Sequence, residues 1–281
     1  MALKKVDTII WDGDNTLWDW MRYAVPSYEA MCQVIAVYSG KSIDETAAAM
    51  KVFYSSKGTI EDEGLIQGLG GMGFFRAVGH FNEEELIDEV KTKFGQVRRE
   101  NLHLYPEIEE TIAKIREMGL IQILLTDAPL NQAKARLEYF NLDPAFSSIN
   151  AMPIADVPRL RARQRSDLPG NTIQEFEKPH TNLEELLGMT REEIKDRVMM
   201  IGDNDPKDMG TVRRNGCRGI HAAYGAASRD FQERIKIFAP ERVAARSMQL
   251  GSGAPLKAEA ESRIIRVEHP REILELVRRA A

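Results

Sequence analysis

Thr8-Ile9-Ile10-Trp11-Asp12-Gly13-Asp14-Asn15-Thr16-Leu17 is the stretch on which the fold turns. The run from Val6 to Trp11 is apolar enough for a buried parallel strand, which puts Asp12 and Asp14 at its carboxyl end, where open α/β sheets place their sites. Two carboxylates this close repel each other unless a cation lies between them or one is protonated. Hard oxygen ligands suit Mg²⁺, which would neutralise the pair and hold phosphate oxygens too. One aspartate could then act as a nucleophile while its neighbour handles protons.

Three further elements follow in order. Ile121-Gln122-Ile123-Leu124-Leu125-Thr126-Asp127 is a second apolar strand ending in a hydroxyl. Glu177-Lys178-Pro179 sets a lysine before a helix-like stretch. Val198-Met199-Met200-Ile201-Gly202-Asp203-Asn204-Asp205-Pro206-Lys207-Asp208 is a third strand running into an acidic loop.

With these four pieces the chain resembles the haloacid dehalogenase-like hydrolase superfamily. That family's motifs are Asp-x-Asp-x-Thr, a strand-terminal Thr or Ser, a Lys, and Gly-Asp-x-x-x-x-Asp. They match here as Asp12/Asp14/Thr16, Thr126, Lys178, and Gly202-Asp203 with Asp208.

The resemblance implies roles. Asp12 would be the nucleophile that takes up the phosphoryl group, and Asp14 the general acid and then base. Thr126 and Lys178 would grip the phosphoryl oxygens, with Asp127 beside them in the substrate site. Asp12, the Asp14 backbone carbonyl and Asp203 would hold Mg²⁺, with Asp208 either a ligand or a support to one. Asp14 also separates chemistries, because the dehalogenase branch of the family generally lacks the second aspartate.

Composition sets bounds. At 281 residues and 43% hydrophobic, the chain can bury a large core with room for a second, smaller unit. No stretch approaches the roughly twenty apolar residues of a membrane span, and so little precedes Val6 that no secretory signal is expected. Cys32 and Cys217 have no metal or redox spacing and fit a reducing cytoplasm. Five scattered histidines argue against zinc, and a net charge of −5 against nucleic acid.

Strand and helix alternate from Leu104 onward, which predicts a doubly wound, mostly parallel, Rossmann-like sheet in an α/β fold. Residues 18–103 read as helical throughout, with Ser42 and Glu45 forming a capping box. The expected division is therefore a core of residues 1–17 and 104–281 and an all-helical cap of residues 18–103. Such a cap, by resemblance, would close over the site.

Within it, Gly64 to Gly73 carries five glycines and reads as too glycine-dense for a helix. It resembles the substrate-specificity loop of such caps, making Gly70 and the nearby Arg76 substrate-binding candidates, with His80 beyond them; a plain interhelical turn is the alternative. Trp18 and Trp20 flank the passage from core to cap and read as packing residues. The run Arg159 to Arg165 reads as a solvated insert or an anion-attracting edge, and a second insert spans Ala226 to Ser262 with a helix near Asp230 to Ile237.

The function expected is thus a Mg²⁺-dependent phosphatase acting on a small phosphorylated metabolite through an aspartyl-phosphate. A phosphomutase or phosphotransferase of the same superfamily, or a non-catalytic regulatory protein keeping the fold, are the alternatives.

Overall fold

The computed structural model describes residues 5–58, 60, 62, 64–76, 82–152, 172–175, 181–239 and 263–281. They fall into two compact units: one drawn from Met1–Trp18, Leu104–Ala226 and Gly251–Ala281, the other from Asp19–His103 and Ala227–Leu250.

The first unit is built on seven parallel strands: β1 (Thr8–Trp11), β2 (Ile121–Pro129), β3 (Ser148–Met152), β4 (Thr172–Glu175), β5 (Val198–Gly202), β6 (Arg218–Ala222) and β7 (Ile264–Val267). Their order across the sheet is β4-β3-β2-β1-β5-β6-β7. From β1 the chain winds outward through β2, β3 and β4. It then crosses back to lay β5 on the other side of β1, so the winding reverses between β1 and β5. In open α/β sheets such a reversal is where ligands bind, beyond the carboxyl ends of the two strands.

β1 and β5 are buried along their whole length, as the absence of polar alternation in their sequences requires of central parallel strands. On one face Ile10, Leu125 and Met200 pack with Leu183, Ile194, Met209 and Val212. Trp11 donates its indole N–H to Gln122 Oε1 at 3.0 Å, and Gln122 Nε2 donates to the Ile112 carbonyl of the helix Ile108–Glu117. The buried glutamine is thereby satisfied at both ends.

The second unit is helical. α1 (Trp20–Ser39) is capped by Asp19, which accepts from Arg22 N, and stops at Gly40 in the left-handed region. α2 (Ile43–Lys57) opens on the expected Ser42/Glu45 capping box. α3 (Leu65–Gly71) and α4 (Glu83–Asn101) follow, with α4 packed along α1. Tyr28 on α1 gathers Tyr54, Phe94 and Phe238 around it, with ring centres 5.6 to 6.4 Å away.

Phe238 marks a departure from the division expected at residue 104. The helix Arg229–Phe238, within the second insert, belongs to the helical unit. Its Arg234 pairs with Glu29 at 2.8 Å, Lys51 Nζ donates to the Lys236 carbonyl at 2.8 Å, and its apolar stripe supplies Ile235 and Phe238 to the buried side. An amphipathic helix goes wherever a complementary apolar face is vacant, whatever its place in the chain. Trp18, expected beyond the core, belongs with the sheet, bridged to Asp14 and Leu104.

Gly64 to Gly73 is a second correction. Most of it is helix, α3, with Leu65, Ile66 and Leu69 buried. At Gly68 the glycine answers to packing: a Cβ there would lie 2.1 Å from the Phe53 ring, so only glycine lets α3 sit this close to α2, whereas at Gly70 and Gly71 a Cβ would meet nothing within 4 Å. Gly73, with φ of 75°, ends the segment. Gly68→Ala should therefore destabilise the protein by about 2 kcal/mol, overlap with Phe53 outweighing the gain in helix propensity, and lower the thermal midpoint. An irregular loop would accept the methyl group without loss.

Candidate active site at the sheet switch point

Parallel register puts three carboxylates together. Trp11 pairs with Leu124 of β2 and Ile201 of β5, so two residues further on Gly13 comes level with Thr126 and Asp203. Asp12 continues the ladder, its N–H donating to the Ile201 carbonyl at 2.8 Å. One carboxylate oxygen from each of Asp12, Asp203 and Asp208 falls within 4.8 Å of the others, and all three residues are buried.

Small residues make this crowding possible. Asp208, in the turn Asp205–Met209 after β5, lies over Gly202, where a Cβ would come within 2.4 Å of its carboxyl carbon. Asp208 also accepts from the Asn204 N–H at 2.9 Å. Gly13 has room for no side chain, since a Cβ would meet Trp18 at 2.9 Å and Thr126 Oγ1 at 3.2 Å. Asn15 turns the chain back in the left-handed region at φ of 60°, where asparagine is tolerated better than most residues.

Thr16 is fully buried, its Oγ1 3.4 Å from both Asp12 Oδ2 and Asp203 Oδ1. Its carbonyl accepts from the Tyr224 hydroxyl at 2.9 Å. Burial pushes the Tyr224 phenol well above the ordinary tyrosine range and the Asp203 and Asp12 charges push it further, so Tyr224 stays a neutral donor. His221 Nε2 lies 2.8 Å from the Asp203 carbonyl, which places the ring proton on that nitrogen.

Three buried carboxylates in this space repel one another strongly, and an oxygen-only donor set is what a hard divalent cation takes. The residues fit such an ion, and Mg²⁺ among the common ones. Asp14, whose carbonyl the resemblance assigns to the metal, keeps its side chain out of the cluster. Its Oδ1 accepts from Trp18 Nε1 at 2.5 Å and from Arg136 Nη1 at 2.6 Å.

Thr126 Oγ1 accepts from the Ala128 N–H at 3.2 Å, and among the described residues nothing takes its own proton. That leaves Thr126 on β2 with a hydroxyl proton to donate. Asp127 is engaged by Lys207, Nζ to Oδ2 at 2.6 Å. Gly70 and Arg76 lie in and after α3 of the helical unit. Lys178, His80, the Arg159–Arg165 run and the tract around residues 247–253 lie outside the described residues.

Sequence reading missed Arg136, Trp18 as a hydrogen-bond donor, Thr16 between the carboxylates, Lys207 and Tyr224. Spacing did carry one signal, since Trp18 lies four residues after Asp14, but nothing in the sequence ties position 136 to position 14.

The model of the haloacid dehalogenase-like hydrolases matches residues 6–216. No protein of curated function matches the chain. Among solved structures, a haloacid dehalogenase-like hydrolase from Xanthomonas campestris aligns over 99% of this chain and 96% of its own, at 15% identity and a TM-score of 0.56. A provisionally assigned β-phosphoglucomutase from Thermotoga maritima aligns over 98% and 100%, at 16% identity and 0.52. A provisionally assigned hydrolase of the same family from Bacillus subtilis, determined with magnesium bound, aligns over 98% and 100%, at 11% identity and 0.52. At these identities the likeness is one of fold.

Gly225 gives the site a mechanical test. A Cβ there would fall 1.8 Å from the Asn15 carbonyl oxygen and 2.8 Å from Asp203 Cβ. Gly225→Ala should force the loop after β1 away from β5 and cost about 3 kcal/mol in denaturant unfolding. An unchanged midpoint would mean that the two loops are not in contact.

Proposed function

The chain belongs to the haloacid dehalogenase-like hydrolases, and from that premise we propose that it is a Mg²⁺-dependent phosphatase of a small phosphorylated metabolite. The observation that carries this reading is the pairing of Asp12, inside the buried carboxylate cluster, with a second aspartate two residues on that is turned out of it. A halide leaves without a proton. An alkoxide needs one, and a chain that keeps Asp14 has an acid to supply it.

In this mechanism Asp12 attacks phosphorus in line: the Asp12 O–P bond forms, the ester P–O bond breaks, and Asp14 gives its proton to the departing oxygen. Water then attacks the aspartyl-phosphate, its proton passing to Asp14 as the P–O bond to Asp12 breaks and phosphate leaves. The hydroxyl of Thr126 would donate to a non-transferring oxygen, and Lys178 would add the positive charge that a spread-out transition state calls for. Asp12, Asp203 and Asp208, with the Asp14 carbonyl, would hold Mg²⁺. Bound there, the ion would neutralise the carboxylates and polarise the phosphoryl oxygens.

The helical unit would serve as the cap that the resemblance implies. A cap of this kind selects small substrates, because remote contacts to the leaving group contribute to the rate as well as to affinity.

A screen of phosphorylated metabolites with Mg²⁺, reading free phosphate, tests the proposal. At least one compound should be turned over, with Asp12→Asn leaving less than about a hundredth of the wild-type rate while the circular dichroism stays unchanged. Isomerised sugar phosphate without free phosphate would instead mean a mutase.

Removing the metal gives an independent reading. Adding Mg²⁺ to chelator-treated protein should raise the thermal midpoint, as any ligand selective for the folded state does, and Asp203→Asn should abolish the rise. An equal rise in the variant would place the ion elsewhere.

A further inference from the structure

Arg136 is an arginine with 2% of its surface exposed, among the largest fully buried side chains of the protein. A buried guanidinium is costly to desolvate unless its geometry and hydrogen bonds repay the loss of water. This one sits on the helix Leu130–Tyr139, directly after β2. Nη1 donates to Asp14 Oδ1 at 2.6 Å, and Nη2 donates at 2.8 Å to Gln132 Oε1, one turn earlier on the same helix.

The guanidinium carbon lies 5.8 Å from the centre of the Trp18 ring, and the Trp18 indole N–H reaches the same Asp14 oxygen at 2.5 Å. Trp18 is itself fixed, fully buried and with its carbonyl accepting from the Asn15 N–H at 2.8 Å. Two donors therefore converge on Oδ1. Oδ2 accepts no hydrogen bond among the described residues, and the Asp14 side chain keeps 23% of its surface open.

We propose that Arg136, together with Trp18, is a positioning residue for the reaction: the pair clamps Oδ1 of Asp14 so that Oδ2 alone faces the reacting oxygen. The inference rests on Asp14 being the proton carrier of the proposed phosphatase. Neither clamping group can accept a proton, so one placed on Oδ1 would cost both bonds, whereas Oδ2 exchanges a proton without breaking either. A free aspartate samples several rotamers and presents either oxygen, while a clamped one holds a single orientation through both half-reactions. In the first, Oδ2–H gives its proton to the ester oxygen as the P–O bond breaks; in the second, Oδ2 takes a proton from the attacking water.

The dependence on leaving group tests this. kcat/KM reports the first half-reaction alone, and 4-nitrophenolate leaves without a proton while an alkoxide does not. Arg136→Met and Trp18→Phe should each lower kcat/KM by about 100-fold for the alkyl phosphate found in the metabolite screen, and by less than about threefold for 4-nitrophenyl phosphate. Arg136→Lys, which keeps the charge but not the planar fork, should fall between wild type and Arg136→Met.

Equal losses on the two esters, or full activity on both, would overturn the positioning role. Asp14→Asn separates the clamp from the proton carrier that it holds. If it shows the leaving-group contrast and the Arg136 and Trp18 variants do not, only the clamp is wrong. If wild type hydrolyses neither ester with Mg²⁺, the phosphatase reading fails and the clamp with it. Should Arg136→Met fail to fold, Trp18→Phe, which removes the N–H and keeps an aromatic ring, carries the same contrast.

Discussion

Three carboxylates, from Asp12, Asp203 and Asp208, occupy a buried space in which each charge disfavours the other two. A fold tolerates such a cluster only if the backbone imposes it, because no side-chain preference would assemble it. Parallel pairing of β1 with β5 is that imposition. Once the strands are in register, the residues after Trp11 and after Ile201 must exit side by side. The glycines at 13, 202 and 225 then remove the side chains that would hold the loops apart.

The two aspartates after β1 go to different environments for the same reason. Asp12 still follows the ladder, donating to Ile201, and its side chain goes into the cluster. Gly13 and Asn15 bend the chain immediately afterwards, and Asn15 closes a turn onto Trp18. Asp14 therefore projects to Arg136 and Trp18. Identical side chains two residues apart acquire different surroundings from backbone geometry alone, which is how one fold can set two carboxylates apart chemically.

In the helical unit the organising feature is aromatic rather than ionic. Tyr28 at its centre touches rings from α2, α4 and the helix Arg229–Phe238, and the last of these arrives from more than a hundred residues further along the chain. Glycine has an opposite use there from the one its abundance suggests. At Gly68 it permits a close helix–helix approach, and at Gly73 it ends the segment.

Much of the fold was legible because its strongest signals are local. Buried parallel strands need apolar runs, and those at Ile9–Trp11, Ile123–Leu125 and Val198–Ile201 are short, clear and followed within two residues by a polar candidate, Asp12, Thr126 or Asp203. Capping at Ser42 depends on residues three apart, so it too was written in the sequence. The sequence by itself thus determined the parallel α/β core, its family, and the candidates Asp12, Asp14, Thr126 and Asp203. Tertiary structure alone decided that Arg136 meets Asp14 across 122 positions, that Thr16 stands between two carboxylates, that the helix Arg229–Phe238 joins the helical unit, and that a run of glycines folds as a helix. Local periodicity reports which face of an element is apolar, whereas these contacts are chosen by which faces the chain's winding brings together, and residues far apart in sequence carry no record of that choice.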